Sequence, residues 1–214
     1  VSNGGKAGVT MGEAYQYYSA LAPYSGNNKV KTDYTGNSLA AGPKMKLAGA
    51  NAANAVYALP GNALDSVADS PYNSPLVDGS CAGNYIVFIS NGAPTDNHSP
   101  NGGKEANDRL QDAATAASIA GATTPIPANP AGSQDNVADE WARFMKKSPR
   151  AITTYTLDVD KKLTGQGPGW TAILKSMAGV SRGKYFDVSS GNGGEQVADA
   201  LGRIFSEIQA VNSV

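Results

Sequence analysis

The stretch Asn84-Tyr-Ile-Val-Phe-Ile-Ser-Asn-Gly-Ala-Pro-Thr-Asp96 decides how the chain is read. Tyr85 to Ile89 is a short apolar run rich in β-branched and aromatic side chains. It stops at Ser90-Asn91-Gly92-Ala93-Pro94, a turn-forming cluster. A continuous apolar run of this length, closed by Gly and Pro, predicts a strand buried on both faces. Polar residues just beyond such a strand fall at the carboxyl edge of a sheet, where open α/β folds place their ligands.

Composition narrows the setting. With 214 residues the chain is long enough for a domain with a substantial core. Charged residues make up 16% and the formal net charge is −1, without the basic stripe of a nucleic-acid binder. No apolar run reaches the ~18 residues that a transmembrane helix needs. The opening Val-Ser-Asn-Gly-Gly-Lys does not have the pattern of a signal peptide. Abundant Gly, Ala, Ser, Asn and Thr suit an extracellular bacterial protein. Cys81 is the one cysteine, so it builds no internal disulfide; it reads as a free thiol or as half of a bridge to another chain.

Outward from the central stretch, helices and strands alternate. Residues 1–8 read as loop, and Thr10 as the cap of a first helix, with Glu13 at capping-box spacing and Pro23 as its end. Residues 24–43 suggest a short hairpin including Lys29–Tyr34, 44–59 a short helix, and 60–80 a surface loop. Downstream, helices are expected at Lys104–Ala120 and Asn136–Lys147, the second with Val137, Trp141, Phe144 and Met145 turned inward. Residues 121–132 read as irregular. Ala151–Val159 is the second buried strand, Thr164–Gly169 a turn, Trp170–Val180 a helix and Lys184–Val188 a third strand. Glu195–Val211 is the last helix, with Val197, Leu201, Ile204, Phe205 and Ile208 on its apolar face. Strand-helix alternation of this kind predicts a parallel sheet flanked by helices.

These residues carry a family resemblance. Ser90-Asn-Gly-Ala-Pro-Thr-Asp96 after a buried strand resembles the T-D-G-x-P-T-D segment of von Willebrand factor A domains. Gly8-Val-Thr-Met-Gly-Glu-Ala14 resembles their G-T-P-L-G-E-A helix start. Ile152–Val159 and Ala178–Phe186 look like their fifth strand and the approach to their sixth. Ser74-Pro-Leu-Val-Asp-Gly-Ser-Cys81 and the ending Ile204–Val214 are similar to PilY-type proteins, the tip-associated adhesins and assembly factors of bacterial type IV pili. The resemblance covers most of the chain outside 24–73 and 121–135.

The resemblance implies a partial von Willebrand A-like, Rossmann-like α/β domain over residues 1–214, with 24–80 as a loop-rich insertion. It supplies the family's strands four to six; strands one to three, and the first metal-binding loop, have no counterpart in the sequence. Residues 85–89 would face the family's first strand, so the resemblance implies that another chain or further segment covers that apolar edge. The family's adhesion site holds Mg²⁺ or Mn²⁺ with hydroxyl and carboxylate oxygens. Here Val9 stands where the family has threonine, with Thr10 one residue away, and Asn91 stands where it has aspartate. Thr10 and Asn91 are thus a degenerate metal site, no cofactor is expected, and Asn91-Gly92 reads as a structural turn.

Other constellations have plainer readings. Asp96, His98 and Ser99 are too close together in one loop for a hydrolase triad, whose members converge from separate positions. Asn97-His-Ser99 fits a glycosylation sequon but is followed by Pro100. Gly165-Gln-Gly-Pro-Gly169 lacks the Lys-Ser/Thr of a phosphate loop. Asp158 and Asp160 read as solvated loop carboxylates beside Lys161 and Lys162. Tyr15, Tyr17, Tyr18 and Tyr24 are divided between core and contact surface. The expected function is that of a non-enzymatic interaction module in pilus assembly or adhesion, at the cell surface, presenting Thr10, Asn91 and Asp96 as its contact surface. Its partners would be minor pilins, the remainder of the same tip protein, or a host or abiotic surface. The alternatives are a subunit of an extracellular filament, joined through its sheet edge, and a hydrolase.

Overall fold

The computed structural model describes residues 6–21, 39–40, 46–47, 71–72, 74–76, 82–90, 103–129, 136–159, 167–188 and 193–212. In chain order the elements are α1 (Ala7–Tyr18), β1 (Leu39–Ala40), β2 (Lys46–Leu47), β3 (Tyr85–Ser90), α2 (Gly103–Ala116), α3 (Ala138–Lys147), β4 (Thr153–Asp158), α4 (Gly167–Val180), β5 (Tyr185–Asp187) and α5 (Gly193–Asn212). The chain divides into two units, residues 1–11 with 81–214, and residues 12–80. Among the described residues no helix is long and apolar enough to cross a membrane.

The larger unit is α/β. β3, β4 and β5 form a parallel sheet in that spatial order. β4 is central, and all six of its residues are buried. Its side chains alternate between two environments, as a strand's period of two requires. Tyr155 and Leu157 join Phe186, Val188, Ala200 and Ile204 in a core under α5. Thr154, Thr156 and Asp158 point the other way, against α4, where Thr156 Oγ1 donates to the Leu174 carbonyl at 2.9 Å. Buried polar groups need partners of this kind. α4 buries Trp170, Ile173, Leu174, Met177 and Ala178, a helical stripe at spacings of three and four. α3 packs beside α4, burying Trp141, Phe144 and Met145, and the Trp141 indole donates to the Ala106 carbonyl of α2 at 3.1 Å.

Several expectations change. β3 is half-buried rather than buried on both faces, and Ile89 is 51% exposed. The reason is its position: among the described strands it pairs with β4 alone. Phe205 is 53% exposed, because the inward face of α5 centres on Ala200 and Ile204 and position 205 lies one helical step, about 100°, beyond it. Ala7 and Gly8 are helical, so Thr10 lies inside α1, not at its cap. Gly167–Gly169, expected as turn, form the start of α4, where Pro168 needs no amide partner. Lys46-Leu47 pairs antiparallel with Leu39-Ala40 instead of lying in a helix. The Lys29–Tyr34 strand, Tyr24 and Cys81 lie outside the described residues.

Helix α2 ends at Ala116, four residues earlier than expected, and the chain shows why. Ser118 takes φ +53°, Ile119 N–H donates to Ala114 O at 3.1 Å, and Ser118 N–H donates to Thr115 O at 3.1 Å. That is a Schellman motif. α1 ends the same way, with Ala20 at φ +53°, and so does α4, with Arg182 at φ +63°. No glycine takes the left-handed position at these three stops, although α4 still ends at Val180 as expected.

In the smaller unit, Tyr72 and Ser74 dock on the second half of α1 and the residues after it. Tyr72 N–H donates to Leu21 O at 3.0 Å, and Ser74 Oγ donates to Tyr18 O at 2.8 Å. The Tyr72 hydroxyl donates to Glu13, and its ring meets Tyr17 edge-on at 5.5 Å. Burial, then the Glu13 carboxylate, raise the Tyr72 pKa, so the phenol stays protonated.

The end of α4 gives a paired test. A Cβ on Gly183 would stand 2.0 Å from the Thr154 carbonyl oxygen of β4. Gly183→Ala therefore lowers unfolding stability by about 1–3 kcal/mol. Arg182→Gly, one residue earlier, removes left-handed strain and raises stability by about 0.5–1 kcal/mol. Urea unfolding of both variants checks the opposite signs.

Candidate functional site

The register of the sheet aligns Ser90, Asp158 and Asp187 at the carboxyl ends of three parallel strands. Ser90 and Asp158 share the face that carries Phe88 and Thr156, so both lie under the start of α4. The Trp170 indole N–H donates to Ser90 Oγ at 2.9 Å, and the Trp170 ring meets Phe88 edge-on at 6.4 Å. One residue on, Thr171 Oγ1 donates to Asp158 Oδ2 at 2.7 Å. The Tyr185 hydroxyl of β5 donates to the same oxygen at 3.0 Å.

Asp158 is thus fully buried with an asymmetric environment. Its Oδ2 takes two hydroxyl donors, while Oδ1 is buried and has no hydrogen-bond partner among the described residues. The first turn of α4 adds the positive end of a helix dipole, which favours a negative charge by about 0.3–1 kcal/mol. Burial and the adjacent Asp158 carboxylate raise the Tyr185 pKa, which keeps the phenol a donor. Chemically the cluster is a buried carboxyl group ringed by hydroxyls and an indole, with one oxygen unpartnered among the described residues. Among the described residues no group of three His, Cys, Asp or Glu side chains is placed to hold a metal ion.

The residues singled out from sequence fare differently. Thr10 is exposed, and its hydroxyl donates to the Lys6 carbonyl at 2.6 Å within its own helical turn. Asn91 and Asp96 lie outside the described residues, as do His98, Ser99, Asp160, Lys161 and Lys162. Asp158 is corrected: it is the last residue of a buried strand, not a solvated loop carboxylate. Tyr15, Tyr17 and Tyr18 are half-buried on α1. Ser90, Trp170, Thr171 and Tyr185 were not singled out as site residues. The available signal was the polar series Thr154, Thr156, Asp158 on alternate positions of a strand otherwise read as core. No family model, curated protein or solved structure matches the chain.

Tyr185→Phe tests the cluster. It removes one of two donors to a buried carboxylate and lowers stability by about 1.5–3 kcal/mol. Tyr17→Phe, which keeps the ring contacts with Tyr18 and Tyr72, serves as the control for a generic tyrosine effect, with a smaller loss expected. Equal losses in urea melts would show that the Asp158 contact contributes nothing of its own.

Proposed function

We propose that this chain is an interaction module, part of a von Willebrand A-like domain of a type IV pilus-associated surface protein. Its role on this reading is pilus assembly or tip adhesion at the cell surface. The observation that carries the proposal is topological. Three parallel strands lie side by side in chain order, with their carboxyl ends at one edge, as strands four to six of that family do. The segment Ser90–Asp96, which carries the closest resemblance, begins at that edge.

The contact would be made by the carboxyl edge, with Thr10, Asn91 and Asp96 as its sequence-level candidates. It needs no bridging metal ion on this reading, since Asn91 replaces the family's charged ligand. Minor pilins, or the rest of the same tip protein, are the partners the resemblance suggests.

Immunogold electron microscopy of the source cells, with antibody raised to this chain, tests the proposal. The expected result is single gold particles at filament ends. Periodic labelling along a filament would favour a repeated structural subunit, and label confined to the cell interior would overturn both readings.

A further inference from the structure

The first turn of α3 buries two neighbouring acids. Asp139 is fully buried and Glu140 is 4% exposed. Each gives one oxygen to another part of the fold. Ser176 Oγ of α4 donates to Asp139 Oδ2 at 2.6 Å, and the Ile126 backbone N–H donates to Glu140 Oε1 at 2.7 Å. The remaining oxygens, Asp139 Oδ1 and Glu140 Oε2, are buried and meet no donor among the described residues.

Two ionised carboxylates are untenable in such a place. Both have lost water, and each repels the other. A single proton solves both difficulties: it removes one charge and turns one acid into the donor that the other lacks. The positive end of the α3 dipole then favours the one negative charge that is left.

Among the described residues no nearby cation does the same work. Arg143, one turn along α3, donates through Nη2 to the Ala122 carbonyl at 2.9 Å and to that of Thr124, and its buried Nε has no partner. Lys146 turns to the Ala151 carbonyl and Thr153 Oγ1. On α4, Lys175 lies over the Tyr185 ring at 5.2 Å. On β4, Asp158 is engaged by Thr171 and Tyr185. α2 carries Lys104, Glu105, Asp108, Arg109 and Asp112, and residues 117–129 include no ionisable side chain. The groups that act on Asp139 are Glu140, Ser176 and its own backbone.

We infer that Asp139 and Glu140 form a proton-sharing pair, and that one bound proton is a structural ligand joining α3 to α4 and to the 122–126 segment. Its loss leaves two like charges on neighbouring buried residues of one helical turn, tied to α4 and to Ile126, so the fold is built to loosen on the alkaline side. A metal ion fits poorly, because a hard divalent cation seeks six or more oxygens and the described residues offer two unpartnered ones here.

The direction with pH follows from linkage. Burial first, then the hydrogen bond and charge of Glu140, push Asp139 up to about 8 from an ordinary 3.8. The folded chain therefore holds a proton that the unfolded chain releases. The associated stability is complete below pH about 4 and is lost as pH rises through about 8.

Thermal unfolding of the full chain between pH 5 and pH 9 tests this, with infrared detection of a protonated carboxyl at pH 7. The wild-type Tm is expected to fall by several degrees across the range. Asp139→Asn, which is neutral and can donate to Glu140, is expected to flatten the profile and to remove the carboxyl band. Glu140→Gln provides the second variant should the first fail to fold. His98 is present in every variant, so the difference between profiles isolates the pair. A flat wild-type profile, or no protonated carboxyl at pH 7, overturns the proposal. So does a Tm raised by MgCl₂ or CaCl₂ at pH 9 in wild type but not in Asp139→Asn, since a metal would then hold the pair.

Discussion

The fold depends on β4 being paired along both edges and covered on both faces. Its backbone exchanges hydrogen bonds with β3 and β5, and the pairing continues past the strand ends: Thr153 N–H donates to Asn84 O at 2.8 Å, and Val159 N–H to Ser90 O at 2.7 Å. Burying the backbone this completely is tolerable only because each group has found a partner. The same constraint then reaches the side chains. Thr154, Thr156 and Asp158 face α4, so the helix must supply what water cannot. Leu174 accepts from the Thr156 hydroxyl and Thr171 donates to Asp158, while Ser181, just past the helix, accepts from the Thr154 backbone N–H at 2.9 Å and leaves the buried Thr154 hydroxyl without a partner among the described residues. Three polar contacts along one strand fix where α4 lies, and this brings Trp170 and Thr171 to the carboxyl edge.

Much of this frame was legible. The apolar runs announced β3 and β4, and the spacings of Trp141, Phe144 and Met145, and of Ile173, Leu174 and Met177, announced α3 and α4. Periodicity reports which side chains leave water, and these do. The failures have physical causes too. Schellman stops at Ala20 and Ser118 place ordinary residues where glycine is the usual sign, so a boundary read from composition slips there, whereas α4 ends at Val180 as its periodicity indicates. Thr10 looks like a cap because its hydroxyl can accept an amide, yet the same hydroxyl can donate to a carbonyl one turn back, and here it does.

The buried acids were the least legible part. A carboxylate beside lysines in a Gly-rich region has the composition of a solvated loop, and Asp158 was read that way. Its burial comes from residues far along the chain, Thr171 and Tyr185, which no local window contains. Asp139 and Glu140 match the ordinary preference for acids in a first helical turn. Only the tertiary packing of Ser176 and Ile126 against them turns that preference into an enclosed pair. Both clusters use α4, which ties the sheet edge and the acid pair to the same helix.

Native-state hydrogen exchange of the full chain, resolved residue by residue by NMR, tests the central role of β4 most directly. The account predicts that the amides of Thr154 to Leu157 exchange only through global unfolding, slower than those of α5, whose outer face is open to water. Exchange of the β4 amides as fast as those of α5 would contradict it.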